Sequence, residues 1–176
     1  MKKNVIVSLA DASYFELLNE LIDSIKNFKE SSDVAICILD AGLNEEQKNL
    51  ISKKIDEIKK AEWDINVPEY KVRGKEWLKS QVSRAFLPKY FPGYEKYLWI
   101  DCDAWVHDWK SVELYFKACD NGKLGITQTM GPGYKIMSKV KWLFGKIALI
   151  KSQNFKHAIV QESVLMRLEN LLLHHI

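Results

Sequence analysis

Over its first hundred residues the chain alternates short, β-branched apolar runs with stretches whose apolar residues recur at helical spacing, and this alternation constrains the fold more than any other feature. Val5 to Leu9 is nearly continuous in apolar character, as a strand covered on both faces requires. The period then changes. Tyr14, Leu17, Leu18, Leu21, Ile22 and Ile25 form one stripe of a helix, with Ser13 and Glu16 at capping-box spacing. A second run from Val34 to Leu39, a turn at Ala41-Gly42 and a helix from about Asn44 carrying Leu50, Ile51, Ile55 and Ile58 repeat the unit. Ile65 to Val67 reads as a third strand, and a helix from about Lys75, carrying Trp77, Leu78, Val82 and Phe86, is stopped by Pro88 before the apolar run Tyr97 to Ile100. Parallel neighbours need a crossover, usually a helix, so the expected fold is α/β, a mostly parallel sheet flanked by helices. Further on, Val112 to Ala118 reads as helix, Leu124 to Thr127 and Ile147 to Ile150 as strands, and His157 to Leu173 as helix. Residues 1–176 are expected to form a single domain.

With 47% apolar and 28% charged residues, the chain has the composition of a globular protein with a core of its own. Its 26 basic and 23 acidic side chains are mixed along the sequence, which gives no basic stripe and excludes nucleic acid as the expected partner. Cys37, Cys102 and Cys119 have no metal-ligand spacing and read as the reduced, packed thiols of a cytoplasmic protein. Asp11 interrupts the first apolar run before it reaches spanning length, so no transmembrane segment is expected; exposed lysines leave peripheral contact with a membrane open.

In a parallel sheet of this kind ligands bind outside the carboxyl ends of the strands. Asp11 follows the first run, Asp40 the second, and Asp101 with Asp103 close the run Tyr97-Leu98-Trp99-Ile100. In an extended segment residues i and i+2 share a face, so Asp101 and Asp103 would aim two carboxylates at one cation while Cys102 turns into the core. Acid-x-acid triplets also arise by chance where a strand ends in a turn. This one is an acidic island between apolar strings, where two like charges lose hydration and a divalent cation such as magnesium or manganese offsets the cost.

Leu9-Ala10-Asp11-Ala12-Ser13-Tyr14, Ser83-Arg84-Ala85-Phe86-Leu87-Pro88 and Tyr97-Leu98-Trp99-Ile100-Asp101-Cys102-Asp103 together resemble the type-A glycosyltransferases. Within these the chain is most similar to family eight, the retaining galactosyl- and glucosyltransferases related to glycogenin, over roughly residues 4 to 108. The resemblance implies a Rossmann-like type-A glycosyltransferase fold and transfer of a hexose from a nucleotide diphosphate sugar, a UDP-hexose, to a hydroxyl of a saccharide or other acceptor, with Mn2+ or Mg2+. It further implies Leu9, Asp11 and Ser13 under the base and ribose, Asp101 near ribose and metal, Asp103 as a metal ligand, Arg84 reaching the donor, and Gln161 beside the reacting sugar carbon. From the residues alone Arg84 reads as well as a solvent-facing arginine, Gln161 and Glu162 as helix-surface residues, and His107 with Asp108 as the end of a strand.

Departures from the family pattern are Ala12 and Val160 where acids are expected, Phe144-Gly145-Lys146-Ile147-Ala148 in place of a Phe-Asn-Ala-Gly string, and no late His with Gly-Lys-Pro-Trp. The chain is therefore expected to fall short of a complete enzyme. Two other readings stay open. Tyr97 to Val106 also resembles the haloacid-dehalogenase phosphatase motif, although the later acids Glu113, Asp120, Glu162 and Glu169 are isolated; the other reading is a non-catalytic nucleotide-binding module.

Overall fold

The computed structural model describes residues 2–67, 69–72, 74–125 and 158–159. Strands β1 (Asn4–Ala10), β2 (Val34–Asp40), β3 (Glu57–Lys60), β4 (Lys96–Trp99) and β5 (Ala158–Ile159) form one parallel sheet in the order β3-β2-β1-β4-β5. The central strand, β1, pairs along its whole length with β2 and over Asn4–Val7 with β4. Both of its edges and both of its faces are covered, which is why its apolar run is continuous.

Side chains of alternating residues enter two layers. Ile6, Ile36, Ile38 and Leu98 pack against helices α1 (Phe15–Lys26) and α6 (Trp109–Ala118), whose buried faces include Leu18, Ile22 and Phe116. Val5, Val7, Leu39, Tyr97 and Trp99 form the other layer with Leu87, Tyr90 and Phe91. Helix α2 (Glu45–Ser52) starts at a capping box in which Asn44 and Gln47 exchange side-chain to backbone hydrogen bonds.

Several expectations change. The third strand is Glu57–Lys60, not Ile65 to Val67, and Ile58 lies in it rather than in α2. At the sheet edge this strand is only partly buried and carries charged side chains, so apolar periodicity does not report it. The segment from Lys75 is not one helix. It is a 3-10 turn at Glu76–Leu78, α4 (Lys79–Ser83), a second 3-10 turn at Arg84–Phe86, and α5 (Leu87–Tyr90); a four-residue helix α3 (Glu69–Val72) precedes them. Pro88 lies in the first turn of α5, where its missing N–H needs no partner, so it begins a helix instead of stopping one.

The chain enters α1 through a 3-10 turn at Ala12–Tyr14 whose cap is Asp11, not Ser13, and Phe15 is buried where Tyr14 and Leu17 stay exposed. Ala158 and Ile159 pair with Tyr97 and Leu98, so the chain there is extended and not helical. Leu124 and Gly125 lie outside regular structure. The strand expected at Ile147 to Ile150 and the helix expected beyond Ile159 lie outside the described residues. Among the described residues no helix is long and apolar enough to cross a membrane. All three cysteines are free thiols, with Cys37 and Cys119 buried.

Candidate active site

The carboxyl ends of β1 and β4 and the broken helical segment 76–84 enclose a cleft of about 520 Å3. Leu9, Asp11 and Ser13 reach it from the end of β1, Arg84 from the second 3-10 turn, and Asp101 with Asp103 from the end of β4. Six residues that are far apart in sequence thus share one cavity. Asp40 does not line it.

Asp11 is occupied locally. Its Oδ1 accepts hydrogen bonds from Ser13 N at 2.9 Å, Ser13 Oγ at 2.5 Å and Tyr14 N at 3.3 Å, which satisfies the free donors at the start of the helical segment. The adjoining β2–α2 turn braces it: Ala12 N donates to Gly42 O at 3.2 Å, and Gly42 has a φ of +136°, a conformation that favours glycine. Asp40 shapes that turn by accepting from Gly42 N at 2.7 Å and Leu43 N at 2.6 Å and by pairing with Lys48 at 3.0 Å. Burial alone would raise its carboxyl, but the Leu43 and Gly42 N–H groups and the Lys48 ammonium outweigh it and hold the group below its ordinary value.

Arg84 is buried, not solvent-facing. Its Nη2 donates to Asp101 Oδ1 at 2.6 Å, Trp99 Nε1 donates to the same oxygen at 2.9 Å, and the guanidinium carbon stands 4.8 Å from the centre of the Trp99 ring.

The acidic triplet reaches the cleft by a route other than the one its spacing suggests. Strand β4 stops at Trp99, and Ala104 N donates to Asp101 O at 3.0 Å, so Asp101 to Ala104 is a hydrogen-bonded turn and the shared-face argument does not apply. The ladder to β1 has ended there, with Ile100 N bonded to Val7 O, and the turn supplies the next backbone partner. Asp103 is exposed. Cys102 packs half-buried against the α1-side core and also lines the cleft. Burial, then the charges of Asp103 and Asp101, push its thiol up to about 11, so it is neutral near pH 7.

Among the described residues no three His, Cys, Asp or Glu side chains cluster as a complete metal centre. The cleft does supply hard oxygen donors in Asp103 and in the Asp101 oxygen not engaged by Arg84 and Trp99. Magnesium is commonly held by one or two carboxylates plus phosphate oxygens, so this donor set fits part of such a site. Gln161 and Glu162 lie outside the described residues. His107 is exposed, and Asp108 caps α6 by accepting from Lys110 N at 3.0 Å.

Sequence reasoning missed the cleft residues Tyr14, Trp77, Ser80 and Gln81. Tyr14 stands three residues after Asp11 at the same strand end, and that position was its signal; its helical spacing with Leu17 pointed to the core instead. It is 47% exposed, and Trp77 is 44% exposed.

A family model described as Glycosyl transferase family 8 matches residues 5–155. Among solved structures, the chain is similar to the galactosyltransferase LgtC in complex with donor and acceptor sugar analogues, at a TM-score of 0.55 and 20% identity over 75% of this chain and 50% of that one. An active-site mutant of LgtC matches at a TM-score of 0.54 and 21% identity, covering 74% of this chain and 50% of that one. The chain therefore spans about half the length of these neighbours, with which it shares its fold. No curated protein matches it.

Proposed function

We propose that this chain, which belongs to glycosyl transferase family 8, binds a nucleotide diphosphate sugar in the cleft and, with a divalent cation, supports transfer of the hexose to an acceptor hydroxyl. The observation that carries the proposal is the convergence of Asp11, Arg84, Asp101 and Asp103 on one cavity at the carboxyl ends of β1 and β4. The sugar analogues bound to LgtC, a neighbour in fold, support a donor and an acceptor as the two ligands.

In this reading Leu9, Asp11 and Ser13 border the base and ribose, and the exposed ring of Tyr14 offers them a stacking face. Asp101 and Asp103 would hold manganese or magnesium, which when bound neutralises charge on the leaving diphosphate. Arg84 supplies a fixed positive charge at the cleft wall, already neutralised by Asp101, so its first task is to set that carboxylate. We place Gln161 beside the reacting carbon of a retaining transfer as part of the same proposal, and residues 1–176 act in it as one nucleotide-sugar-binding unit. UDP is the nucleotide of choice. The family match leaves the phosphatase alternative without support.

Thermal denaturation with UDP tests this. A ligand at a hundredfold excess over its Kd stabilises by about 2.7 kcal/mol, or roughly 5–10 °C for a domain of this size. The expected result is that shift with manganese and little or none in EDTA. Equal shifts in both would remove the cation from the proposal, and no shift in either would remove the nucleotide.

A further inference from the structure

Trp99 is the last residue of β4 and is 3% exposed, its ring packed in the sheet layer that contains Val7 and Leu9. Two residues later, Asp101 receives the Trp99 Nε1–H and the Arg84 Nη2–H on a single oxygen, Oδ1, at 2.9 and 2.6 Å. The guanidinium in turn lies over the indole, so the buried indole closes a triangle with two groups of the cleft wall, the Arg84 guanidinium and the Asp101 carboxylate. The terminal torsion of an aspartate is broad and sets little by itself. Two donors on one oxygen restrict it, and both of these donors are held by buried residues. Oδ2 is left as the oxygen that Asp101 can present to a ligand.

We infer that Trp99 is a positioning residue of the nucleotide site: its indole N–H, together with Arg84, selects which oxygen of Asp101 faces the cleft and keeps it there. Buried indoles usually find a hydrogen-bond partner, and that need alone would place a polar group nearby. What exceeds it here is that the partner is a carboxylate lining the cleft and that the accepting oxygen is shared with a buried arginine. Tyr90 and Tyr97 of the same layer bond instead to Asp64 and to Phe91 O, neither of which lines the cleft. The inference rests on the nucleotide-sugar reading above.

The test uses the whole chain with two replacements. Trp99→Phe keeps an aromatic ring beneath Arg84 and removes the donor. β-(3-Benzothienyl)alanine at position 99 keeps the shape of the indole and puts sulfur where the N–H was, which separates the donor from the packing. UDP is titrated calorimetrically into each protein with manganese and again in EDTA, and melting is recorded without ligand. Both replacements are expected to weaken manganese-dependent UDP binding about tenfold, equivalent to 1.4 kcal/mol, and to leave binding in EDTA within about twofold of the parent. The benzothienyl protein should still fold cooperatively, its melting lowered by no more than the loss of one charge-assisted hydrogen bond. Parental affinity in the benzothienyl protein, or equal losses with manganese and in EDTA, would show that the indole only fills space. A parent that binds UDP without manganese dependence would sink the metal reading and this inference together, a result told apart from the others because it appears before any replacement is made.

Discussion

Asp11 and Asp40 bring the same side chain to the ends of neighbouring strands, yet one lines the cleft and the other is spent on a turn. The difference lies in what each carboxylate touches. Asp40 is folded onto the Gly42 and Leu43 N–H groups and Lys48, and this bonding depresses its pKa despite burial. A carboxyl lowered on folding stabilises the protein above its unfolded pKa, about 3.9, and loses that contribution as pH falls through the folded value. Asp40→Ala strands two backbone donors as well as Lys48, at an expected cost of about 2–3 kcal/mol near neutral pH. Asp40→Asn keeps an acceptor and loses only the charge. Urea denaturation of parent and Asp40→Asn from pH 7 to pH 2.5 should show a constant gap above about pH 4 that narrows steadily below it. A gap that widens with acid would contradict the assigned direction.

Among the elements, those legible in sequence are those whose burial is two-sided or one-sided throughout. β1, β2 and the core stripe of α1 follow directly from apolar period, since both faces of the strands and one face of the helix meet other layers. Segment 75–91 defeats the same reasoning. Its apolar residues serve two environments, Val82 and Leu87 in the core and Trp77 at the cleft, and the chain changes helical type between them to do so. The acidic residues of the cleft are a similar case: their places near strand ends are legible in the sequence, but the turn that carries Asp103 depends on where the ladder to β1 runs out, which is a tertiary fact. Helix α6 gives an element-scale test of the distinction between cleft and scaffold. Asp108 is its N-cap, so Asp108→Ala should lower stability by about 1 kcal/mol and leave manganese-dependent UDP affinity as in the parent. Asp103→Ala, by contrast, should weaken that affinity at least ~10-fold with little change in stability, because its exposed carboxylate makes no hydrogen bond or ion pair with the described residues. Calorimetry and denaturant melts on both variants decide; the reverse pattern would assign the triplet to the scaffold.

At the scale of the whole molecule, the two apolar layers meet across β1, where Val5 and Val7 are fully buried between neighbours on both edges. Amides of Val5 to Val7 should be the slowest in the molecule to exchange with deuterium, opening only with global unfolding, while those of the edge strand β3 exchange through local opening. Exchange of β1 as fast as that of β3 would mean that the sheet does not unfold as one unit. The same central placement has a consequence for synthesis. A nascent chain delivers Val5-Ile6-Val7 before either neighbouring strand, and the partner on one side, Lys96 to Trp99, leaves the ribosome long after the partner on the other. Until then a β-branched strand presents an open edge to whatever other chain is near, the condition under which edge-to-edge association begins. Lys2 and Lys3 stand directly before the strand, and flanking charge of this kind opposes such association.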